Sequence, residues 1–204
     1  MTRCTGGYDD GYLSCSCFWG RSPGSLVTNH LQQIGTAKGL KVLDLGCGEG
    51  KNANAYAEAG AHVTAVDCSI HAIENGLRAF STADIDWIQS DAHSYLREAD
   101  LFDVIIMYGL LHCLSSETEV VTLIDRALNK TRKGGTHIIA VFNNGPHDLS
   151  AHPGFKPLLF PHEFYVACYS DCQITSAVSS ILKETHPHNE IEHFHSLTRL
   201  IALK

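Results

Sequence analysis

The chain has 204 residues, 44% of them hydrophobic and 18% charged, with a formal net charge of −7. That length can bury a core without covalent help, so one domain over 1–204 is expected; the acidic balance argues against a broad nucleic-acid surface, which needs clustered Lys and Arg. No apolar run reaches a membrane span and the start lacks a signal peptide's charged and apolar regions, so a cytoplasmic protein with no membrane or nucleic-acid partner and with reduced cysteines is expected.

Residues 1–25 are rich in Gly, Ser, Tyr and Cys and show neither helical nor strand periodicity, which predicts an irregular arm. It holds Tyr8, Tyr12, Cys15, Cys17, Phe18 and Trp19, too many large side chains for a disordered tail. The arm is therefore expected to pack, either as a lid over a site or against a sheet edge. Ser22 and Pro23 read as a helix start, followed by Leu26, Val27, Leu31 and Ile34 at core spacing. Residues 1–36 form this lid segment and 37–204 the core.

From Lys41 the pattern alternates strand and helix. The stretch Val42-Leu43-Asp44-Leu45-Gly46-Cys47-Gly48-Glu49-Gly50 is a strand breaking into three alternating glycines, which let backbone pass close under a bulky ligand. A helical pattern follows at once and presents its free N–H groups to whatever sits above the turn. A dinucleotide fingerprint would need its third glycine at Lys51 and fails there. A second strand over residues 62–66 ends in Asp67, about 20 residues past the turn, where an acid can accept bonds from both hydroxyls of a ribose. Ser69 caps a helix with Ile70, Ile73, Leu77 and Phe80 on one face.

A third strand over 85–89 leads into Ser90-Asp91-Ala92, where Asp91 reads as a helix cap. The fourth, 102–107, is nearly continuous apolar, as in a strand covered on both faces, and runs into Tyr108-Gly109-Leu110-Leu111-His112-Cys113. Ser116 and Glu119 have capping-box spacing, and Lys133-Gly134-Gly135 is expected to stop the helix they start, ahead of a fifth strand over 136–142. Residues 143–161, broken by prolines and glycines, read as a long loop of the kind that serves a site. A short helix (162–169) and two final strands (173–183 and 196–203) complete the chain.

The motif Asp-Leu-Gly-Cys-Gly-Glu-Gly resembles the first motif of class I S-adenosylmethionine-dependent methyltransferases, and the layout from Lys41 onward resembles their small tellurite-resistance-type members, with the loop Gly154-Phe155-Lys156-Pro157-Leu158-Leu159-Phe160 and the end Thr198-Arg199-Leu200-Ile201-Ala202-Leu203-Lys204. The resemblance implies an α/β, Rossmann-like, doubly wound seven-stranded sheet, mostly parallel with an antiparallel C-terminal strand. It implies S-adenosylmethionine as methyl donor, held by Asp44, Gly46, Cys47, Gly48, Asp67, Cys68, Asp91, Ala92 and Tyr108, with Asp91 on the adenine amino group. It also implies a small-molecule acceptor at the segment after the fourth strand.

Methyl transfer from a sulfonium is an in-line displacement that needs positioning first and a base only for a protonated acceptor. His112, His193 and His195 are the candidates for that base, the last two sharing one face if 192–196 is extended. The pairs His186/His188 and His193/His195, with Cys15 and Cys17 if the arm crosses the sheet, are metal-type ligands in loose spacing. A metal is thus possible but not predicted. The alternative reading is a non-catalytic metal-binding or metal-sensing protein on the same fold; methylation of a protein or RNA stands third.

Overall fold

A computed structural model describes residues 8–186 and 190–204. Seven strands, β1 (Lys41–Leu45), β2 (His62–Asp67), β3 (Ile85–Gln89), β4 (Phe102–Tyr108), β5 (Thr131–His147), β6 (Gln173–Glu184) and β7 (His193–Leu203), form one sheet in the order β3-β2-β1-β4-β5-β7-β6. The first five run parallel, and β7 lies antiparallel between β5 and β6. This is the doubly wound, mostly parallel sheet implied by the motif resemblance. Strand order reverses between β1 and β4, which opens a crevice at their carboxyl ends, the usual ligand position in open α/β sheets.

Helices cover both faces because the strands are apolar on both. Alternation along β4 sends Val104 and Ile106 to one face, with Val42, Tyr56, Val63 and Ile73, and sends Ile105 and Met107 to the other, with Leu43, Leu45, Leu123 and Ile124. The first face receives α2 (Ser25–Ile34), α3 (Lys51–Glu58) and α4 (Ile70–Ala79); the second receives α5 (Ala92–Glu98), α6 (Glu117–Asn129) and α7 (His162–Ala167). Ser69 Oγ accepts the Ala72 N–H at 3.1 Å, and Ser116 Oγ the Glu119 N–H at 3.2 Å, so both expected caps form. Among the described residues, no helix is long and apolar enough to cross a membrane.

The structure corrects several boundaries. The arm is not irregular throughout, since α1 (Asp9–Ser14) lies in it, and the helix read from Ser22 starts at Ser25. The Lys133-Gly134-Gly135 turn does not stop α6, which ends at Asn129; it is a bulge inside β5, where Gly134, at φ +77°, donates to the Lys204 carbonyl and the Lys204 N–H donates to the Gly135 carbonyl. Pairing with β7 carries β5 on to His147, and the hairpin extends β7 back to His193, so both strands are longer than propensity alone indicates. The short helix ends at Ala167.

One buried polar cluster makes a measurable prediction. His137 bridges Thr131 Oγ1 (2.7 Å) and the Tyr169 hydroxyl (3.0 Å) inside the sheet, and burial pushes its pKa down to about 3. Its folded pKa is depressed, so the unfolded chain binds the extra proton and stability falls as pH drops below the ordinary histidine range. Between about pH 7 and pH 5 the wild type should lose about 2 kcal/mol relative to His137→Gln, read by urea unfolding of both proteins at both pH values.

Candidate active site

The glycine turn follows β1 because Gly46, Gly48 and Gly50 all sit at positive φ (+72°, +54° and +80°), which side-chain-bearing residues adopt only at a cost. Gly46 and Cys47 donate to the Val66 carbonyl at 2.8 and 3.0 Å, tying the turn to the tip of β2. A Cβ on Gly48 would stand 2.9 Å from the Tyr12 hydroxyl, so only glycine lets the arm pack directly onto the bare backbone of the turn.

Two carboxylates define its ends. Asp44, buried one residue before the end of β1, accepts the Ala53 N–H at 3.0 Å through Oδ2, while its buried Oδ1 has no hydrogen-bond partner. Burial raises its carboxyl to about 7. That orphaned oxygen suits a cationic amino group arriving above the turn. Asp67, at the tip of β2, accepts Gly48 N–H at 2.8 Å on one oxygen and Ser69 N–H at 2.9 Å on the other. Burial raises its pKa, and these backbone bonds oppose the rise. With Cys68, three backbone N–H groups orient the carboxylate, and it faces the cavity as an acceptor for a ribose.

Asp67 and the turn line a cavity of about 180 Å³ together with Cys47, Cys68, Tyr108, His112 and Cys113. The arm closes it from above with Tyr8, Tyr12 and Trp19, and Trp19 Nε1 donates to the Tyr12 hydroxyl at 3.1 Å. Glu49 and Lys51 hold the arm there. The Cys17 N–H, at a residue with φ +56°, donates to Glu49 Oε1 at 2.7 Å, as does Asn75 Nδ2 at 3.0 Å, and Lys51 Nζ donates to the Trp19 carbonyl at 3.0 Å. The amides of Phe18 and Trp19 also favour the charged form of Glu49. A loop of successive N–H groups around one carboxylate is an anion-binding concavity occupied from within the chain. Sequence reasoning missed Glu49 and Lys51, although both flank the glycines.

The candidate residues divide. Asp44 and Gly46 bound the turn, and Cys47, Gly48, Asp67, Cys68 and Tyr108 gather at the cavity, with the Tyr108 ring packed directly on Gly24. Asp91 and Ala92 are not among the residues that line it. Asp91 caps α5 by accepting the Ser94 N–H at 3.0 Å, and Ala92 packs toward the core. The thiols of Cys47 and Cys113 are pushed up by burial, Cys113 to about 12, so they act as protonated wall groups rather than nucleophiles. A larger, open groove of about 690 Å³ lies beside α5 between Lys41, His62, Asp86 and Arg97; it contains none of the candidate residues.

His112 reaches the cavity with one ring nitrogen already engaged. Its Nδ1 accepts the Phe142 N–H at 3.1 Å, so the proton of the neutral ring is on Nε2. Burial, then the neighbouring His195, His147 and His152, push its pKa down to about 3. His193 and His195 do share a face, with rings 5.0 Å apart, but they stand behind the cavity wall, His195 stacked on Phe142 at 4.3 Å. Cys15 and Cys17 do not join them, because Cys17 turns to Glu49 and Arg21 instead. His188 lies outside the described residues.

Residues 42–135 match the methyltransferase domain family. The chain is 31% identical over 125 residues to a demethylmenaquinone methyltransferase of Renibacterium salmoninarum, an alignment covering 61% of this chain and 47% of that protein. It thus spans about half the length of the curated relatives it matches. In fold it is similar to TehB from Haemophilus influenzae (TM-score 0.70, 18% identity, 87% of this chain and 61% of that one). It is similar too to the N-methyltransferase NodS from Bradyrhizobium japonicum in complex with S-adenosylhomocysteine (TM-score 0.64, 16% identity, 97% and 98%). Over residues 42–135, less than half of the chain, the sequence is similar to methyltransferase domains, and the fold that carries the glycine turn and Asp67 is similar to that of TehB.

Proposed function

We propose that this chain transfers a methyl group from S-adenosylmethionine to a small-molecule acceptor in the cavity beneath the arm. The observation that carries the reading is the Asp67 carboxylate, fixed by Gly48 and Ser69 at the reversal point of the sheet and opposite a glycine floor. The demethylmenaquinone methyltransferase it matches acts, by its name, on a small molecule, and the net charge of −7 fits that class better than a polyanion.

S-adenosylmethionine supplies an already activated sulfonium methyl, so what falls to the chain is orientation and exclusion of water. Asp67 holds the sugar hydroxyls, Asp44 Oδ1 faces the amino-acid end, and the bare turn lets both approach. Tyr8, Tyr12 and Trp19 form the lid. His112, its Nδ1 committed to Phe142, donates through Nε2 to the acceptor; His193 and His195 support the wall behind it. S-adenosylhomocysteine titrated by calorimetry is the direct check, with one saturable site expected.

The state of His112 fixes a pH behaviour. Held neutral down to about 3, it contributes no ionisation to kcat/KM, so with cofactor saturating, the profile between about pH 5 and 8 should carry the acceptor and the Asp44 carboxyl, raised to about 7, but no histidine step. His112→Ala should lower kcat about tenfold, leave cofactor affinity unchanged and leave the shape of that profile unaltered. A break near the ordinary histidine pKa that disappears in His112→Ala would instead make it a base.

A further inference from the structure

Behind the cavity wall, three buried imidazoles from three segments converge. His152 stands on the loop after β5, His186 just beyond β6 and His193 at the start of β7. His152 Nε2 lies 3.1 Å from His186 Nε2 and 3.2 Å from His193 Nε2. A ring nitrogen has one in-plane site, either an N–H or a lone pair, so His152 Nε2 cannot donate to one neighbour and accept from the other. His193 sets the direction of one contact. Its Nδ1 lies 2.8 Å from the Ile191 carbonyl, which only accepts, so in the neutral ring Nε2 presents a lone pair to His152. One proton on His152 Nε2 is shared between two facing nitrogens, whereas a cation placed among the three Nε2 atoms meets each of them directly. Nitrogens bound at 2.0–2.1 Å in a tetrahedron sit about 3.3 Å apart.

A second observation points to the same place. His147 Nε2 donates to the Asn143 carbonyl at 2.7 Å, so its Nδ1 accepts from His195 Nδ1 at 3.3 Å. That leaves the lone pair of His195 Nε2 buried, with no hydrogen-bond partner, 3.8 Å from Glu184 Oε1. Glu184 Oε1 is 3.9 Å from His193 Nε2, and Glu184 also lines the cavity.

We propose that His152, His186 and His193 seat a divalent transition-metal ion of the zinc class, with Glu184 and His195 adjoining the site through His193. The donor set is nitrogen-rich, which selects zinc, cobalt, nickel or copper over magnesium and calcium. The site goes beyond the methyl-transfer reading and does not depend on it. The order of contacts also links it to the lid, since Trp19 packs on His152 at 5.9 Å and on His186 at 5.0 Å between ring centres.

The test uses the full chain without a histidine tag, stripped with a chelator and titrated with zinc and with cobalt. About one equivalent of zinc should remain after dialysis, cobalt should give the visible absorption of a tetrahedral nitrogen site, and thermal midpoint should rise with zinc but not with magnesium. His152→Gln should weaken zinc affinity about 10–100-fold while far-ultraviolet circular dichroism and S-adenosylhomocysteine binding are retained. A folded wild type that retains no zinc and gives no cobalt absorption overturns the proposal, and so does a His152→Gln/His193→Gln protein that still binds zinc with wild-type affinity. Because cofactor binding is read in the same samples, loss of the metal site and loss of the cofactor reading are told apart.

Discussion

Asp67→Ala should weaken S-adenosylhomocysteine binding about 100-fold or more while the protein stays folded. The carboxylate is expected to take two ribose hydroxyls, and hydrogen bonds to a charged group contribute about 1.5–3 kcal/mol each, so losing both costs at least about 3 kcal/mol, with 1.4 kcal/mol per tenfold. The variant also releases the Gly48 and Ser69 N–H groups, at 2.8 and 2.9 Å from the carboxylate, which loosens the turn under the ligand and adds to the loss. Asp67→Asn keeps an acceptor and should fall between. Calorimetry on the three proteins checks the order. Wild-type affinity in Asp67→Ala would remove the acid from the cofactor site.

Glu49→Ala should free the arm. Its carboxylate accepts the Cys17 amide at 2.7 Å and Asn75 at 3.0 Å in a buried setting, so its removal leaves donors without a charged acceptor at a local cost of about 3 kcal/mol. Hydrogen exchange at amides 11–20 should accelerate about 100-fold, while amides of β1 and β4, deep in the sheet, should be unaffected. Methyl transfer should fall with it, since the lid then fails to exclude water. Exchange in the arm at the wild-type rate would show that Trp19 and its neighbours are held by packing alone.

The parts of the fold that sequence made legible are those whose cause is local. The glycines after β1 need positive φ within a few residues, Asp67 follows from strand length, and Ser69 and Ser116 cap the helices they precede. The arm is different. Its helix α1 is short, and what fixes it lies far along the chain: Tyr12 carbonyl accepts from Asn75, and Asp9 from Ser69. The histidines show the same divide. His193 and His195 are neighbours by strand alternation, which their spacing in sequence already indicated. The convergence of His152 with His186 and His193 depends on the loop after β5 folding back on the hairpin, which no spacing encodes. His112 looked like a base because of its position, and only the amide of Phe142, 30 residues away, turns it into a donor.

The most direct test of the cofactor site is a crystal structure of the full chain with S-adenosylhomocysteine. The account predicts both ribose hydroxyls at about 3 Å from the Asp67 carboxylate, the amino-acid end over Gly46 and Gly48 beside Asp44, and the lid residues Tyr12 and Trp19 in contact with the nucleoside. Density for the nucleoside anywhere else, or Tyr12 packed onto Gly48 with the ligand excluded at saturating concentration, would contradict it.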